Sequence, residues 1–462
     1  MPQSTRQWFS EKVEAIRKSP TLPFYEILDS HLFTKSLQAE NVHSHSCVFT
    51  PLITLCVFLS QVLDPDHSCR SAVARLNVWL SVNRRKACSP ETSTYCEARQ
   101  RLPLGVIKRL VCGTSHEVDG QALDKWLWKG RRVTMVDGTT VSMPDTRANQ
   151  REFPQPSSQV TGVGFPLARI VVLISLCTGV VRDLAVGPYA GKETGETALL
   201  RTLWESLETG EILLGDRYFA SFFGMIGLKG RGVDGLFRMH QRRKCDFRRG
   251  RRLGVEDHVV TWTKPIRPSW MDEATYAQIP EQLTIRELRI RVSIPGYRVN
   301  ELVLVTTLLD SESYTKDELA DLFMKRWNVE LDLRSIKCTL QMDILRCKTP
   351  EMVRKEIWMH MLAYNLIREL MARAANVHDM EPREISFKGA LQTVNEFRHA
   401  FGHAADEERT QLLVRMLEAI ASHRVGDRPK RVEPRLKKRR PKPTGYLAEP
   451  RSTARNRLTG KA

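Results

Sequence analysis

The chain has 462 residues, 42% of them hydrophobic, and carries 71 Lys and Arg against 53 Asp and Glu, a net charge of +18. This length and composition exclude a small disulfide-stapled scaffold and suit two to four domains with a sizeable core. The positive charge makes a polyanion the leading partner, because basic side chains release counterions from nucleic-acid phosphates.

The sequence also indicates a cellular compartment. The ten cysteines form no CxxC pair and no regular spacing, which fits a reducing environment. The first residues, MPQSTRQWFSEK, lack the basic and apolar regions of a signal peptide. The most apolar stretch, Cys47 to Leu63, is too short for a membrane-spanning helix and contains several polar residues. We therefore expect a cytoplasmic protein with no membrane partner.

Residues 1–125 are predicted to form a helical N-terminal domain. Helical patterns run from Phe9 to Ile16, onward from Pro51, from Ser71 to Val82 and from Thr92 to Leu102, without a strand pattern between them. Four basic residues near its end either contact DNA or form a solvated helix face: Arg99, Arg101, Lys108 and Arg109. Three alternating residues do not match the usual zinc spacings, so we expect no zinc at His43, His45 and Cys47.

Residues 126–239 are predicted to begin an α/β core. Strands are expected from Val133 to Val141, in ARIVVLISLCTG and, after a turn at Thr178-Gly179, in VVRDLAVGPY. A helix from Glu193 to Leu207 and a buried strand ending at Asp216 follow. This order of three strands, a helix and a strand is that of a ribonuclease H-like core, a mixed sheet flanked by helices.

The core is expected to continue around an insertion. After a helix from Phe219 to Gly230 and a strand from Gly235 to Met239, residues 240–300 are predicted to be a β-rich insertion with strands in VVTWT and LTIRELRIRVSI. Residues 301–375 return to the core with the strand ELVLVTTLL. A helix then begins at Thr315, where Glu318 completes a capping box, and runs at least to Lys337.

Three further segments complete the organisation. A helix is predicted from Val353 to Ala374, and residues 376–427 form a helical C-terminal region that is a candidate for dimerisation. Residues 428–462 hold thirteen Lys or Arg and two Glu, so we expect a basic, mobile tail. This tail adds sequence-independent affinity for DNA, or it is only a solubilising extension.

Three acids have places that suit a metal site: Asp137 in the first strand, Asp216 at the end of the fourth, and Glu330 in the helix after Thr315. Carboxylates within about 4 Å of one another repel by roughly 4 kcal/mol at an effective dielectric of 20, so such a cluster implies a cation. Two Mg²⁺ or Mn²⁺ ions would suit these oxygen ligands, with Asp137 bridging both. Taken alone, Asp216 is equally explained as a polar strand end, and Glu330 is better explained as a solvated helix acid paired with Arg326 or Arg334.

Basic residues surround Glu330 on the predicted helix. At 100° per residue, Arg326, Glu330, Arg334 and Lys337 fall at about 0°, 40°, 80° and 20°, a single narrow stripe. Asp332 lies about 200° away from Glu330 and is therefore not the expected metal ligand. One acid among three bases on a helix face is typical of a site that cleaves phosphodiesters.

These residues resemble the bacterial insertion-sequence DDE transposases that carry a Tyr-x2-Arg-x3-Glu-x6-Lys signature. The spacing of Arg326, Glu330 and Lys337 fits the signature, and VDGTT and GDRYF resemble the segments that carry the family's two aspartates. The likeness covers roughly Val133 to Ala375. It implies that Asp137, Asp216 and Glu330 bind the metal ions.

The resemblance implies a cut-and-paste reaction. Such an enzyme binds double-stranded DNA at the inverted-repeat ends, nicks it, forms and opens a hairpin, and joins the ends to target DNA. Arg326 and Lys337 would hold phosphates, with Arg334 added by helix geometry. A homodimer on DNA is expected, with an interface from Val353 to Ala374 or after Glu381. The alternatives are a catalytically inactive DNA-binding regulator descended from a transposase and a structure-specific nuclease.

Two departures from the family pattern concern how DNA is held. The Tyr of the signature is Phe323, which cannot donate a hydrogen bond to phosphate. Hairpin-forming relatives use a Trp near the last insertion strand, and ELVLVTTLL has none. Three other tryptophans are candidates for stacking on a flipped base: Trp262, Trp270 and Trp327. Each of them could instead fill a hydrophobic core. Four residues follow the fifth strand and either line a DNA channel or form a solvated loop: Arg238, His240, Arg242 and Arg243.

Overall fold

The computed structural model describes residues 28–42, 47–82, 84–292, 301–403, 406–426 and 445–459. The predicted helix from Phe9 to Ile16 lies outside the described residues, as do His43, His45 and most of the basic tail.

The N-terminal region is helical, as predicted. Its helices are α1 (Ser30–Ala39), α2 (Pro51–Leu63), α3 (Cys69–Val82), α4 (Ser93–Arg101) and α5 (Leu104–Gly120). Helix α2 starts where Pro51 suits the first turn and where the Thr50 hydroxyl accepts a hydrogen bond from the Ile53 amide. Residues 53–63 of α2 are all buried, so the apolar stretch is a core helix. Among the described residues, no helix is long and apolar enough to cross a membrane.

Within the described residues, nine strands form one mixed sheet. They are β1 (Val133–Ser142), β2 (Leu167–Ser175), β3 (Val181–Pro188), β4 (Ile212–Gly215), β5 (Asp234–Arg238), β6 (Arg251–Gly254), β7 (Asp257–Thr263), β8 (Gln282–Arg291) and β9 (Glu301–Thr306). Their order across the sheet is β3-β2-β1-β4-β5-β9-β8-β7-β6. Strand β4 is parallel to β1 and to β5, whereas β5 to β9 and all pairs within the insertion are antiparallel. The predicted α/β fold and β-rich insertion are confirmed.

Short helices connect these strands: α6 (Arg147–Glu152), α7 (Glu196–Arg201), α8 (Phe222–Lys229) and α9 (Glu273–Gln278). The helix predicted from Glu193 to Leu207 is shorter because Glu193 has a φ of 55°, outside the right-handed helical region. A separate 3₁₀ turn covers Trp204–Ser206. Strand β6 and helix α9 were not predicted, since both are short and lack an apolar pattern.

The helical stretch after Thr315 changes its pitch. It consists of α10 (Lys316–Met324), a 3₁₀ turn (Lys325–Trp327), α11 (Asn328–Arg334) and a π-helical segment (Ser335–Thr339). The predicted capping box between Thr315 and Glu318 is present. The prediction of one uniform α-helix is wrong, because the rotation per residue differs between these helix types.

The last helices are α12 (Pro350–Val377), α13 (Phe387–His403), α14 (Asp406–Ser422) and α15 (Arg451–Thr459). Helix α12 is buried along almost its whole length and packs against α2, α5, α13 and α14. The predicted dimer interface from Val353 to Ala374 is therefore wrong, because its own chain already covers this helix. Helix α15 lies within the segment predicted to be a mobile tail.

The chain forms two compact units, each built from separated segments. The helical unit comprises the described parts of residues 1–132, 173–183 and 330–425. The sheet unit comprises those of 133–172, 184–329 and 426–462. The N-terminal helices thus share a unit with α12, although more than two hundred residues separate them in the sequence.

Gly215 allows β4 to pack closely on its neighbours. A Cβ atom at Gly215 would lie 2.8 Å from Val136 Cγ1 and 3.1 Å from atoms of Phe219 and Phe237. We expect Gly215→Ala to lower the free energy of unfolding by about 1–3 kcal/mol, because these contacts leave no room for a methyl group. Urea unfolding measures the change. Gly120→Ala is the control, since nothing lies within 4 Å of its Cβ position; an equal effect there would contradict the crowding at Gly215.

Buried His360 should make the helical unit sensitive to acid. Burial lowers the pKa of His360 to about 4 from an ordinary 6.5, while Nδ1 lies 2.8 Å from the Glu356 carbonyl oxygen. Between pH 4 and pH 6.5, His360 is therefore protonated in the unfolded chain but neutral in the folded chain. The free energy of unfolding should therefore fall by about 3 kcal/mol as the pH drops from 6.5 to 4.

Urea unfolding of His360→Met across this pH range tests the assignment. The variant should lose that part of the pH dependence, whereas His378→Gln, which changes an exposed histidine, should keep it. Parallel stability curves for wild type and His360→Met would show that another group causes the acid sensitivity.

Candidate active site

Strand pairing places Asp137 and Asp216 at the same level of the sheet. Strand β1 pairs with β4 in parallel, with Met135 opposite Leu214 as the last registered pair. Continued by two residues, this register reaches Asp137 on β1 and Asp216, which directly follows Gly215 at the end of β4 and keeps an extended backbone at φ −80° and ψ 177°. Neighbouring strands are about 4.8 Å apart, and residues at one level point to the same face. The sheet therefore brings two half-buried carboxylates together.

Arg326 supplies positive charge beside Asp137. Its Nη1 lies 3.9 Å from Asp137 Oδ2, and the two side chains are 14% and 22% exposed. The other carboxylate oxygen, Oδ1, accepts a hydrogen bond of 2.8 Å from the Gly138 amide. The guanidinium carbon of Arg326 also lies 5.9 Å from the centre of the Phe323 ring.

A carboxylate that the sequence did not predict lies near Asp216 and Gly138. Glu196, the first residue of α7, packs so closely on Gly138 that a Cβ there would lie 2.4 Å from Glu196 Oε1. Burial raises the pKa of Glu196, the negative charge of Asp216 raises it further, and Arg169 opposes both. No local pattern marks Glu196, because its neighbourhood depends on residues far away in the sequence.

Glu330 lies on α11 and is half-buried. Glu330 belongs to the helical unit, whose last segment begins at this residue. Asp137, Asp216 and Arg326 belong to the sheet unit. Arg334 on the same helix is exposed, and Lys337 in the π-helical segment is half-buried.

The neighbouring Asp332 has a structural role. It is fully buried, and its carboxylate accepts hydrogen bonds from Arg368 at 2.5 Å, from Arg383 at 2.7 and 2.8 Å and from the Tyr364 hydroxyl at 2.9 Å. Arg383 also donates to the carbonyl oxygens of Ser175 and Leu176. Asp332 is therefore engaged in the core of the helical unit.

The aromatic residues predicted to contact DNA differ in exposure. Trp262 is 3% exposed and Phe323 is 5% exposed, so both rings lie inside the protein. The core-filling alternative describes Trp262 well, since its indole N–H donates to Glu287 Oε1 at 2.8 Å. Trp270 is half-buried, with Arg201 3.9 Å above its ring centre. Trp327 is 38% exposed.

The predicted basic positions after β5 lie near other aromatic groups. Arg238 ends β5, and both it and His240 are half-buried. The His240 ring meets the exposed Tyr218 ring edge-on, with 6.2 Å between their centres. The adjacent Arg217 donates to Gln241 Oε1 at 2.7 Å. A basic and aromatic surface of the sheet unit thus follows both β4 and β5.

Comparisons with known proteins identify the family of the chain. A family model described as the transposase DDE domain matches residues 128–366, slightly more than half of the chain. The Escherichia coli transposase InsG for insertion sequence element IS4 is 24% identical over 430 residues, covering 92% of this chain and 93% of that protein. A Synechocystis putative transposase for insertion sequence element IS4SA is 22% identical over 324 residues, covering 68% and 80%.

One solved structure of another protein is similar to this chain. It is the cryo-electron microscopy structure of the piggyBac transposase synaptic complex with hairpin DNA, with a TM-score of 0.44 and 10% identity, covering 87% of this chain and 84% of that chain. The family match, by contrast, spans β1, β4 and the Glu330 helix. The chain therefore belongs to the DDE transposases of bacterial insertion sequences, enzymes that cleave DNA and transfer its strands and that generally use divalent metal ions.

Proposed function

We propose that this transposase binds the inverted-repeat ends of an insertion sequence and moves the element by cut-and-paste cleavage and strand transfer. The observation that carries the proposal is the parallel pairing of β1 with β4 inside a transposase DDE domain, since Asp137 lies on β1 and Asp216 directly follows β4. Two acids at one level of a sheet, with a third expected on a later helix, are a ligand set for metal-dependent phosphodiester cleavage.

Asp137, Asp216 and Glu330 are the proposed ligands for two Mg²⁺ or Mn²⁺ ions. Their carboxylate oxygens are the donors that these hard cations prefer. When bound, the ions would activate the attacking water or 3′-hydroxyl and stabilise the leaving oxygen. The half-buried Glu196 adds negative charge near Asp216, which further favours cation binding.

Basic residues are proposed to hold the DNA. Arg326, 3.9 Å from Asp137, is placed to bind a phosphate next to the cleaved bond. Arg334 and Lys337 follow on the same stretch of chain, and Arg238 and His240 follow β5. The Arg326 side chain also lies over buried Phe323, so this ring acts by positioning the guanidinium.

Assays with DNA that flanks the coding region test the proposed function. Imperfect inverted repeats there would supply the substrate ends. With Mg²⁺ or Mn²⁺ the purified protein should nick these ends, form a hairpin, and join the released end to target DNA. A protein that binds the ends without cutting them would contradict the proposal and would be an inactive regulator. Cleavage without joining would indicate a nuclease.

We predict that Trp327 supports the flipped base of a hairpin. Its ring is 38% exposed and adjoins Arg326, whereas Trp262 is buried. Trp327→Ala should lower the yield of hairpin by about 5- to 150-fold, because the loss of one base stack costs about 1–3 kcal/mol. Trp327→Phe should retain most of the yield. Gel analysis of hairpin against nicked DNA measures the effect.

Trp270→Ala is the matched comparison for this prediction. Its ring is covered by Arg201 and meets Phe223 edge-on at 6.1 Å, so its removal should leave hairpin formation unchanged. Loss of hairpin in Trp270→Ala but not in Trp327→Ala would assign the stacking role to Trp270 instead.

A homodimer on DNA is also proposed, since two transposon ends must be joined to one target. With α12 covered by its own chain, the helices after Glu381 are the remaining candidates for the interface. Light scattering of the protein with and without end DNA would show whether DNA drives this association.

A further inference from the structure

Three side chains with metal-ligating atoms come together in the β-rich insertion. They are Cys245 in the loop after β5, His258 on β7 and Glu287 on β8. His258 and Glu287 are directly opposite each other across the two antiparallel strands. The three ligand atoms lie within 4.8 Å of one another, and no other group of three or more His, Cys, Asp or Glu in the described residues does so.

The distances between these atoms suit a tetrahedral zinc ion. Cys245 Sγ lies 3.8 Å from His258 Nε2, and His258 Nε2 lies 3.2 Å from Glu287 Oε2. Zinc bonds of about 2.3 Å to sulfur and about 2.0–2.1 Å to nitrogen and oxygen would separate these ligand pairs by about 3.6 and about 3.4 Å. Small side-chain adjustments would therefore complete the coordination.

Neighbouring groups already orient two of the three ligands. The His258 Nδ1 atom lies 2.6 Å from the Arg249 carbonyl oxygen, which can only accept, so Nδ1 carries the hydrogen. Glu287 Oε1 accepts a hydrogen bond of 2.8 Å from the Trp262 indole. Both arrangements are typical of the outer partners that fix metal-ligating histidines and carboxylates.

This orientation leaves acceptor atoms facing one another. In the neutral imidazole, Nε2 presents its lone pair to Glu287 Oε2, and the two residues are only 1% and 4% exposed. A proton could satisfy this one pair, but a divalent cation satisfies nitrogen, oxygen and sulfur together. We propose that Cys245, His258 and Glu287 bind Zn²⁺, with one coordination position left open.

The charges of the ligands balance the charge of the ion. On coordination the Cys245 thiol gives its proton to solvent, so one thiolate and one carboxylate neutralise the two charges of the ion while His258 stays neutral. No oxidation or reduction takes place. The nearby Arg289 pairs with Glu256 at 3.3 Å and Glu301 at 3.2 Å, so its charge is compensated.

The proposed zinc ion fixes a basic loop to the sheet. The loop supplies Cys245, while His258 and Glu287 belong to the strands. It also carries five cationic side chains: Arg242, Arg243, Lys244, Arg248 and Arg249. Coordination therefore holds this positively charged segment between β5 and β6 in one position.

Metal content of the full-length protein tests the site. After equilibration with ZnCl₂ and dialysis against excess Mg²⁺, which occupies oxygen-only sites, mass spectrometry should find about one zinc per chain. Cys245→Ser and Glu287→Gln should each lose it. Cys47→Ser is the control and should keep the metal, since Cys47 is an exposed cysteine outside the insertion.

Two further readouts separate this site from the carboxylate centre. Co²⁺ should give a thiolate charge-transfer absorption that Cys245→Ser lacks, and zinc should slow tryptic cleavage in the basic loop by about tenfold or more. Zinc retained by Cys245→Ser, zinc lost from Cys47→Ser, or wild type that keeps no zinc would each overturn the proposal. All these measurements are independent of DNA cleavage, so they stand apart from the proposed function.

Discussion

Asp137→Asn should lower the rate of DNA end cleavage by about 10³-fold or more, because bound metal stabilises the transition state by several kcal/mol. Asparagine keeps the shape of the side chain but loses the negative charge that faces Arg326. Asp216→Asn and Glu330→Gln should have effects of similar size if all three acids hold the ions. Cleavage of labelled inverted-repeat ends in Mg²⁺ measures the rates.

Binding and folding controls make this result specific to chemistry. Each variant should still bind the ends in an anisotropy titration, since the basic residues remain. Asp321→Asn, an exposed acid on α10, should cleave at the wild-type rate. Mg²⁺-dependent cleavage retained by Glu330→Gln would remove Glu330 from the proposed ligands while leaving the two aspartates in place.

Asp332→Ala should have the largest effect on stability, a loss of about 3–5 kcal/mol in the free energy of unfolding. The substitution would leave Arg368 and Arg383 facing each other in the interior without their shared carboxylate. Without this anion, buried Arg368 and half-buried Arg383 cannot fully recover the hydration that they lost on folding. Urea unfolding followed by circular dichroism measures the change.

The exposed Asp321→Ala is the control for this stability prediction and should change the free energy by no more than about 0.5 kcal/mol. Asp332→Asn should fall between the two, because its amide oxygen can still accept hydrogen bonds. A loss below about 1 kcal/mol for Asp332→Ala would show that the two arginines find other partners.

The buried strands could be predicted because they are nearly continuous apolar runs. Residues of β2 and β4 are buried on both faces of a central sheet, so their sequences contain few polar residues. Asp216 was identifiable since it ends such a run, and the capping box at Thr315 uses only neighbouring residues. These features depend only on neighbouring residues in the sequence, so they can be predicted without knowing the tertiary contacts.

The remaining features depend on contacts between distant residues. Glu196 packs on Gly138, and Cys245 approaches His258 and Glu287, yet none of these sequences shows a recognisable spacing. The pitch changes between Lys325 and Thr339 also escaped prediction, because helix propensity does not distinguish α, 3₁₀ and π turns there. The burial of Trp262 likewise depends on its cross-strand neighbours.

The central position of α12 has a consequence for how the protein is made. Helices α2 and α5 pack against this helix, which begins about 290 residues after the end of α2 and about 230 residues after the end of α5. At a synthesis rate of about 5–20 residues per second, their apolar faces emerge from the ribosome roughly 10 to 60 seconds before their partner. During each round of translation the nascent N-terminal helices must therefore be shielded, and products that terminate before Pro350 should aggregate or be degraded.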